Sequence, residues 1–212
     1  MKKNNLILIG GGGHCISCID VIESQKHYKI AGIIDLPEKL HSEISGYKII
    51  ASDHDIPQLA GKYSYFLITI GQIKSPQKRL DIFKILKDNA AELPVIISPH
   101  AVVSERSVIK EGTIIMAKAF INSGAEINEN TIINTGALIE HGARIGAHCH
   151  ISTSAVINGD CVVEDGVFIG SNAVLCHGVS IKSLAVIGAG AVVTRNIREP
   201  GIYTGNPARR II

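Results

Sequence analysis

No stretch of this 212-residue sequence approaches eighteen consecutive apolar residues, so none reads as a membrane-spanning helix. Its start, MKKNNLILIGGGGHC, is basic, but the apolar run of four is too short for the core of a secretion signal. A cytoplasmic protein with no membrane partner is the expectation. Lys/Arg runs are missing too: 21 basic against 19 acidic residues leave a formal charge of +2, with no footprint for nucleic acid. That balance points to small-molecule chemistry. The five cysteines are odd in number, and Cys149, Cys161 and Cys176 stand singly in apolar surroundings, as reduced buried thiols do. Cys15 and Cys18 have C-x-x-C spacing but no second pair and no adjacent Trp or Pro. They read as small residues on a buried helix face rather than half a zinc site.

What is present divides near residue 100. Over residues 6–99 short apolar runs (LILIG, IAGIID, YFLITIG, PVIIS) alternate with polar, helix-like segments (HCISCIDVIESQKH, DHDIPQLAGK, PQKRLDIFKILKDN). Such alternation predicts a small parallel sheet flanked by helices, a Rossmann-like α/β domain over 1–99.

From residue 101 a fixed period takes over. Stepping by six from Val103 meets Ile109, Ile115, Ile121 and so on to Val193, every one aliphatic, and two residues before each lies a small or β-branched one. A two-residue offset puts both side chains on one face of a strand. No helix has this period. The fit is a three-sided prism, eighteen residues to a coil, with coils stacked about 4.8 Å apart and aliphatic columns down the interior. Residues 100–195 form this all-β domain, and the irregular tail 196–212 is expected to cover the strand edges at its end.

Three histidines lie in the run NTGALIEHGARIGAHCHI, residues 134–151. His141 follows Ile139 by two, near an outward-facing corner. Gly159 lies one coil later at the same corner, so its unobstructed backbone N–H lies beside the histidine. A neutral imidazole able to take a proton, next to an N–H able to hold an oxyanion, suits acyl transfer. His150 is expected to face outward, and His148 to be solvated.

At the other end, LILIGGGGHCISCID reads as strand, glycine-rich turn and helix start. Gly11, Gly12 and Gly13 would let the backbone approach a phosphate, with His14 facing the anion, or they simply make a tight turn. Asp35 closes the second strand, where an acid accepts from sugar or base hydroxyls, and Gly71 and Gln72 end the third at the same edge. In the tail GNPARR, Arg209 or Arg210 is placed either to pair with a phosphate or to help cap the coil.

The hexads with glycine after the aliphatic residue (IGAH, IGSN, IGAG) resemble the left-handed β-helix of the hexapeptide acyltransferases. With GGGGH after the first strand, NTGALIEH in the repeat and IGAGAVVTRNI…GNPAR at the close, the chain is similar to bacterial UDP-4-amino-sugar N-acetyltransferases and sialic acid O-acetyltransferases. The resemblance implies the left hand, acetyl-CoA as co-substrate and no metal. It further implies a homotrimer with active sites between subunits, and a UDP-linked amino-sugar as the acceptor, in surface-glycan precursor synthesis. His141 matches the general base, and Gly159, His150, Asn134, Ser171, Ala189 and Arg209 match acetyl-CoA or oxyanion contacts. Gly12, Gly13, His14, Asp35, Gly71 and Gln72 fall on the sugar-nucleotide side. One position departs: the family usually has Glu or Asp after the base, whereas this chain has Gly142. Asp160, one coil beyond Gly142, Glu140, or a neighbouring subunit's carboxylate is expected to orient the imidazole instead.

Three other readings have specific support. Sialic acid O-acetylation is the alternative within the enzyme class, and a non-catalytic nucleotide-sugar-binding protein the alternative outside it. A carbonic-anhydrase-like metal site would use His141 and His177, two coils apart, but the third position is Lys182, a poor zinc ligand.

Overall fold

The structure, a computed structural model, describes residues 4–211; residues 1–3 and 212, which the expected domain bounds include, lie outside the described residues. It divides into two units, Met1–Gly71 with Gln77–Pro99, and Gln72–Pro76 with His100–Ile212. The short segment Gln72–Pro76 thus departs from the expected 1–99 domain and belongs with the coil.

The first unit runs β1 (Asn4–Ile9), α1 (Gly13–Gln25), β2 (Tyr28–Asp35), β3 (Glu43–Ile44), β4 (Tyr47–Ser52), α2 (Ile56–Ala60), β5 (Tyr65–Ile68) and α3 (Gln77–Asp88). The sheet order is β3-β4-β2-β1-β5, parallel throughout except for β3. The run Leu6–Ile9 is fully buried on both faces, as an unbroken aliphatic run in a parallel sheet must be. In α1 the buried residues Cys15, Cys18, Ile19 and Ile22 recur at helical spacing, so the C-x-x-C pair is core. Burial raises the pKa of both thiols, which makes them inert. The β3–β4 hairpin is an element that the alternation of runs does not disclose. Its turn residues Ser45 and Gly46 are both left-handed, φ +49° and +82°, which is the type I′ pattern that suits a tight hairpin.

The second unit is a left-handed parallel β-helix. Sixteen two-residue strands run from Val102–Val103 to Val192–Val193, and each ends on a hexad aliphatic. Pairing is parallel at an offset of eighteen, as in Leu138 with Val156 and Ile139 with Ile157. From Ile115 to Val193 every interior aliphatic is buried, with Ala119, Ala137, Ala155 and Ala173 beside the columns. One residue of each hexad, three after the aliphatic, turns the corner with positive φ, from Gly112 and Lys118 through Gly142, His148 and Asp160 to Gly190.

The tail covers all three edges of the last coil. Ile197 bridges Ile181, Ile202–Thr204 pairs with Val186–Ile187 and with Arg209–Arg210, and Val192 exchanges hydrogen bonds with Gly205 and Ala208. A row of backbone groups that would otherwise template aggregation is satisfied internally.

Candidate active site

The corner after strand Leu138–Ile139 projects His141 outward, its side chain 61% exposed. Glu140 Oε2 lies 3.2 Å from the ring Nδ1, and also accepts from the His141 N–H at 3.2 Å and from Asn122 Nδ2 at 2.7 Å. The Asn122 bond is the chief reason the Glu140 carboxyl sits below its usual value, followed by the two His141 contacts. A carboxylate can only accept, so Nδ1 carries the hydrogen and Nε2 of the neutral ring keeps a lone pair facing out. Glu140 is therefore the candidate that reaches the imidazole. Asp160 is not: its Oδ2 lies 3.7 Å from His177 Nε2, and its Oδ1 occupies the space above Gly142, where a Cβ would collide with it. Gly142 itself holds the left-handed corner position, φ +66°.

Gly159 sits under the His141 ring. A Cβ there would stand 2.7 Å from Nε2 and 2.8 Å from Cε1, so any residue larger than glycine would push the ring aside. Among the described residues the Gly159 N–H meets no acceptor, since the neighbouring Asn158 side chain donates to Leu175 instead. The imidazole and the glycine thus share one corner in adjacent coils.

Other coil residues lie elsewhere. Asn134, Ser171 and Ala189 belong to the preceding corner, across the flat side formed by Val102, Phe120, Leu138, Val156, Val174 and Val192. Ser171 Oγ lies 3.0 Å from Ser152 Oγ, and Asn134 Nδ2 3.2 Å from His150 Nε2. Of the two remaining histidines, His148 corrects the expectation of a solvated ring, while His150 points outward as expected and is covered. His150 faces out of the prism but is 8% exposed: Nδ1 meets the Gln72 carbonyl at 2.8 Å and the ring packs edge-on against Phe168, centroids 5.3 Å apart. His148, 9% exposed, pairs with Asn130 Nδ2 at 2.8 Å, and its carbonyl accepts from Gln72 Nε2. Gln72 thus belongs with the coil, not at the sheet edge where the sequence order put it. Cys176 is likewise only half-buried. Lys182, third in the metal reading, is held by Glu164 at 2.9 Å.

In the first unit the carboxyl edge of the sheet encloses a cavity of about 390 Å³, lined by Gly10–Gly13, His14, Asp35, Lys39, Asp53, Gly71 and Lys78 among others. Its glycines differ in what they do. Gly10 has φ +101°, and a Cβ on Gly11 would meet Ile44 and Asp35, whereas Gly12 and Gly13 face open space. Gly12 precedes the first turn of α1, where the Cys15 N–H already donates to the Gly12 carbonyl at 2.9 Å, and the start of the helix is an arrangement suited to an anion. Asp35 lines the cavity as expected and has a structural task there as well. Its carboxylate is occupied by the Gly11 N–H at 3.1 Å, the Leu36 N–H at 2.9 Å and Lys39 Nζ at 2.8 Å, so it braces the turn. Burial opposes its charge, but those donors, Lys39 first, keep its pKa low.

Two residues that sequence reasoning missed hold this edge. Thr69 Oγ1 donates to the carbonyls of Ile9 and Gly10, and Arg79 Nη1 to those of Ile68 and Ile70. Arg79 is 1% exposed, and burial lowers its pKa to about 10. At the tail, Arg195, Arg209 and Arg210 border a cavity of about 220 Å³, with Arg209 Nη1 on the Ala208 carbonyl.

Residues 5–86 match the family described as PglD N-terminal domain, and residues 160–195 the family described as bacterial transferase hexapeptide (six repeats). No curated protein matches the sequence. Among solved structures, the chain is similar to a histidine-to-asparagine mutant of perosamine N-acetyltransferase from Caulobacter crescentus in complex with CoA and GDP-perosamine. Identity is 29%, TM-score 0.91, with 98% of this chain and 96% of that chain covered. It is also similar to the acetyltransferase domain of PglB from Neisseria gonorrhoeae in complex with acetyl coenzyme A, at 26% identity and TM-score 0.90, covering 99% and 100%. WeeI from Acinetobacter baumannii, at 20% identity and TM-score 0.86 over 99% and 100%, shares the fold.

Proposed function

We propose, from the premise that the chain joins a PglD-type N-terminal domain to bacterial-transferase hexapeptide repeats, that it moves acetyl from acetyl-CoA to the amine of a nucleotide-linked amino-sugar. The observation that carries this reading is the stacking of His141, oriented by Glu140, over Gly159 one coil on. The acceptor amine attacks the thioester carbon, and Nε2 of His141 takes its proton as the N–C bond forms. Negative charge builds on the carbonyl oxygen, where the Gly159 N–H receives it. When the tetrahedral species collapses, the C–S bond breaks and coenzyme A leaves.

The glycine turn is proposed to hold the diphosphate, with Gly12, Gly13 and His14 facing it and Lys39 and Lys78 near the same cavity. UDP is the nucleotide expected from the resemblance. The GDP-perosamine bound to one similar structure supports the wider class of nucleotide-diphosphate amino-sugars. A cytoplasmic location, at a precursor stage of glycan synthesis, belongs to the same proposal, since both proposed co-substrates are cytoplasmic metabolites.

We further propose a homotrimer closed on the apolar flat side. Val102 is 59% and Phe120 38% exposed there, a continuous apolar column without a partner in one chain. Threefold closure on this side would set the His141 edge of one copy beside the Asn134, Ser171 and Ala189 edge of the next. Residues that one chain keeps on separate corners would then share one groove for acetyl-CoA.

The test follows free coenzyme A while the protein meets acetyl-CoA and a panel of UDP- and GDP-linked 4-amino-sugars and sialic acids. Turnover confined to amino-sugars supports N-acetylation. Turnover on sialic acid alone would make it an O-acetyltransferase, and binding without thiol release a nucleotide-sugar-binding protein.

A further inference from the structure

We propose that His177 is a second catalytic imidazole, which protonates the departing sulfur of coenzyme A, and that Asp160 is its positioning residue. The inference rests on the acetyl-transfer reading above. His141, Gly159 and His177 occupy one corner in three successive coils. The Cβ position of Gly159 lies 2.7 Å from His141 Nε2 and 3.2 Å from His177 Nδ1, so two rings close on the same glycine from coils on opposite sides of it. His177 Nε2 is 3.7 Å from Asp160 Oδ2, and the two side chains are 68% and 61% exposed, open to a bound thioester. In its protonated form His177 carries hydrogen on both ring nitrogens, and with Asp160 beside Nε2 it is Nδ1 that faces the space over Gly159.

The corner is arranged for this pairing. Asp160 holds the left-handed position, φ +57°, and its Oδ1 fills the space above Gly142 that any Cβ would take. The absence of a side chain at Gly142 and the presence of the His177–Asp160 pair are thus one feature: an acidic residue at 142 would displace the carboxylate that steadies His177.

The two imidazoles divide the proton transfers. As the amine adds to the carbonyl carbon, its proton passes to His141 Nε2. As the C–S bond breaks, its electron pair stays on sulfur, which takes the Nδ1 proton of His177. His141 then gives its proton to solvent and His177 recovers one, so protons and electrons balance over a turnover.

The test compares acetyl-CoA with its selenoester analogue, whose selenolate leaves without needing a proton, in single-turnover measurements on an acceptor that the wild-type protein acetylates. His177→Ala is expected to slow transfer from acetyl-CoA roughly a hundredfold, the low end of general acid–base effects, and to transfer from the selenoester at close to the wild-type rate. Asp160→Asn shows the same donor dependence to a smaller extent. Should His177→Ala fail to fold, His177→Gln, which keeps polarity without a transferable proton, gives the same reading. Equal losses with both donors, or no loss with acetyl-CoA, overturn the proposal while leaving the acetyl-transfer reading intact. A wild-type protein inert toward every acceptor overturns both.

Discussion

Nε2 of His141 stands over Gly159, 2.7 Å from where a Cβ on that glycine would lie. The requirement for glycine is one of approach rather than of backbone conformation, since Gly159 is not among the positive-φ residues. Gly159→Ala should therefore leave the coil folded while pushing the ring aside and crowding the N–H. Loss of the proposed base's placement and of the proposed oxyanion donor together is expected to lower kcat on the order of a hundredfold to a thousandfold. Steady-state kinetics beside a circular-dichroism melt would check it; an alanine variant with wild-type kcat would remove Gly159 from the chemistry.

Glu140 ties the ring Nδ1 and is itself tied by Asn122, whose bond does most to keep the carboxyl ionised. Glu140→Gln leaves the ring without a fixed tautomer, and kcat is expected to fall about ten- to a hundredfold with KM for both substrates nearly unchanged. Asn122→Ala loosens the same carboxylate from behind and should cost several-fold less. If Glu140→Gln retains full kcat, the orienting role passes to a group from a neighbouring subunit.

Away from the site, Glu164 offers a test of electrostatics. Lys182 Nζ at 2.9 Å, then the Ser183 hydroxyl and N–H, hold its carboxyl down to about 2. The folded value lies below the unfolded one, so the stabilisation is fully present above the ordinary carboxyl range and is lost as pH falls toward 2. With the side chain 37% exposed, screening keeps the contribution to about 1 kcal/mol or less. Thermal melts should show Glu164→Gln less stable than wild type at pH 7 and the gap narrowing by pH 3.

The coil was legible because a three-sided prism repeats its steric demand every six residues, and sixteen aliphatics answer it in phase. The corner rule was less so: the left-handed residue falls three after each aliphatic, but Lys118, Asn130, His148 and Asp160 fill it as well as glycine, which blurs the signal. His141 and Gly159 could be paired from the period alone. The fates of His148 and His150 could not, because the segment that buries them, Gln72–Pro76, lies outside the repeat. Arg79 stands in a helix rich in charges and reads as solvent-facing, yet it is used internally on strand-end carbonyls. The β3–β4 hairpin was announced only by the Ser45–Gly46 pair.

The apolar flat side makes assembly testable without touching the corner residues. Val156→Asp places a charge in the middle of the column, where neighbours Leu138 and Val174 leave it no partner. If copies close on this side as proposed, sedimentation should shift from trimer to monomer, with acetyl transfer lost as the proposed groove comes apart and the far-ultraviolet spectrum retained. A trimeric, active Val156→Asp protein would show that copies pack on a different side.

The four consecutive glycines separate structure from ligand binding. A Cβ on Gly11 would strike the Ile44 side chain and stand 2.8 Å from Asp35 Oδ2, so Gly11→Ala should destabilise the first unit by about 1–3 kcal/mol. At Gly12 and Gly13 a Cβ meets no protein atom within 4 Å, so alanine there should leave the melting temperature nearly unchanged. It would, however, fill space above the first turn of α1, where the diphosphate is proposed to sit. KM for the nucleotide-sugar is expected to rise about tenfold, equivalent to about 1.4 kcal/mol, while KM for acetyl-CoA stays constant. Unchanged KM for both substrates in Gly12→Ala and Gly13→Ala would move the nucleotide away from this turn, and a rise in both would mean that the substitution disturbs more than one site.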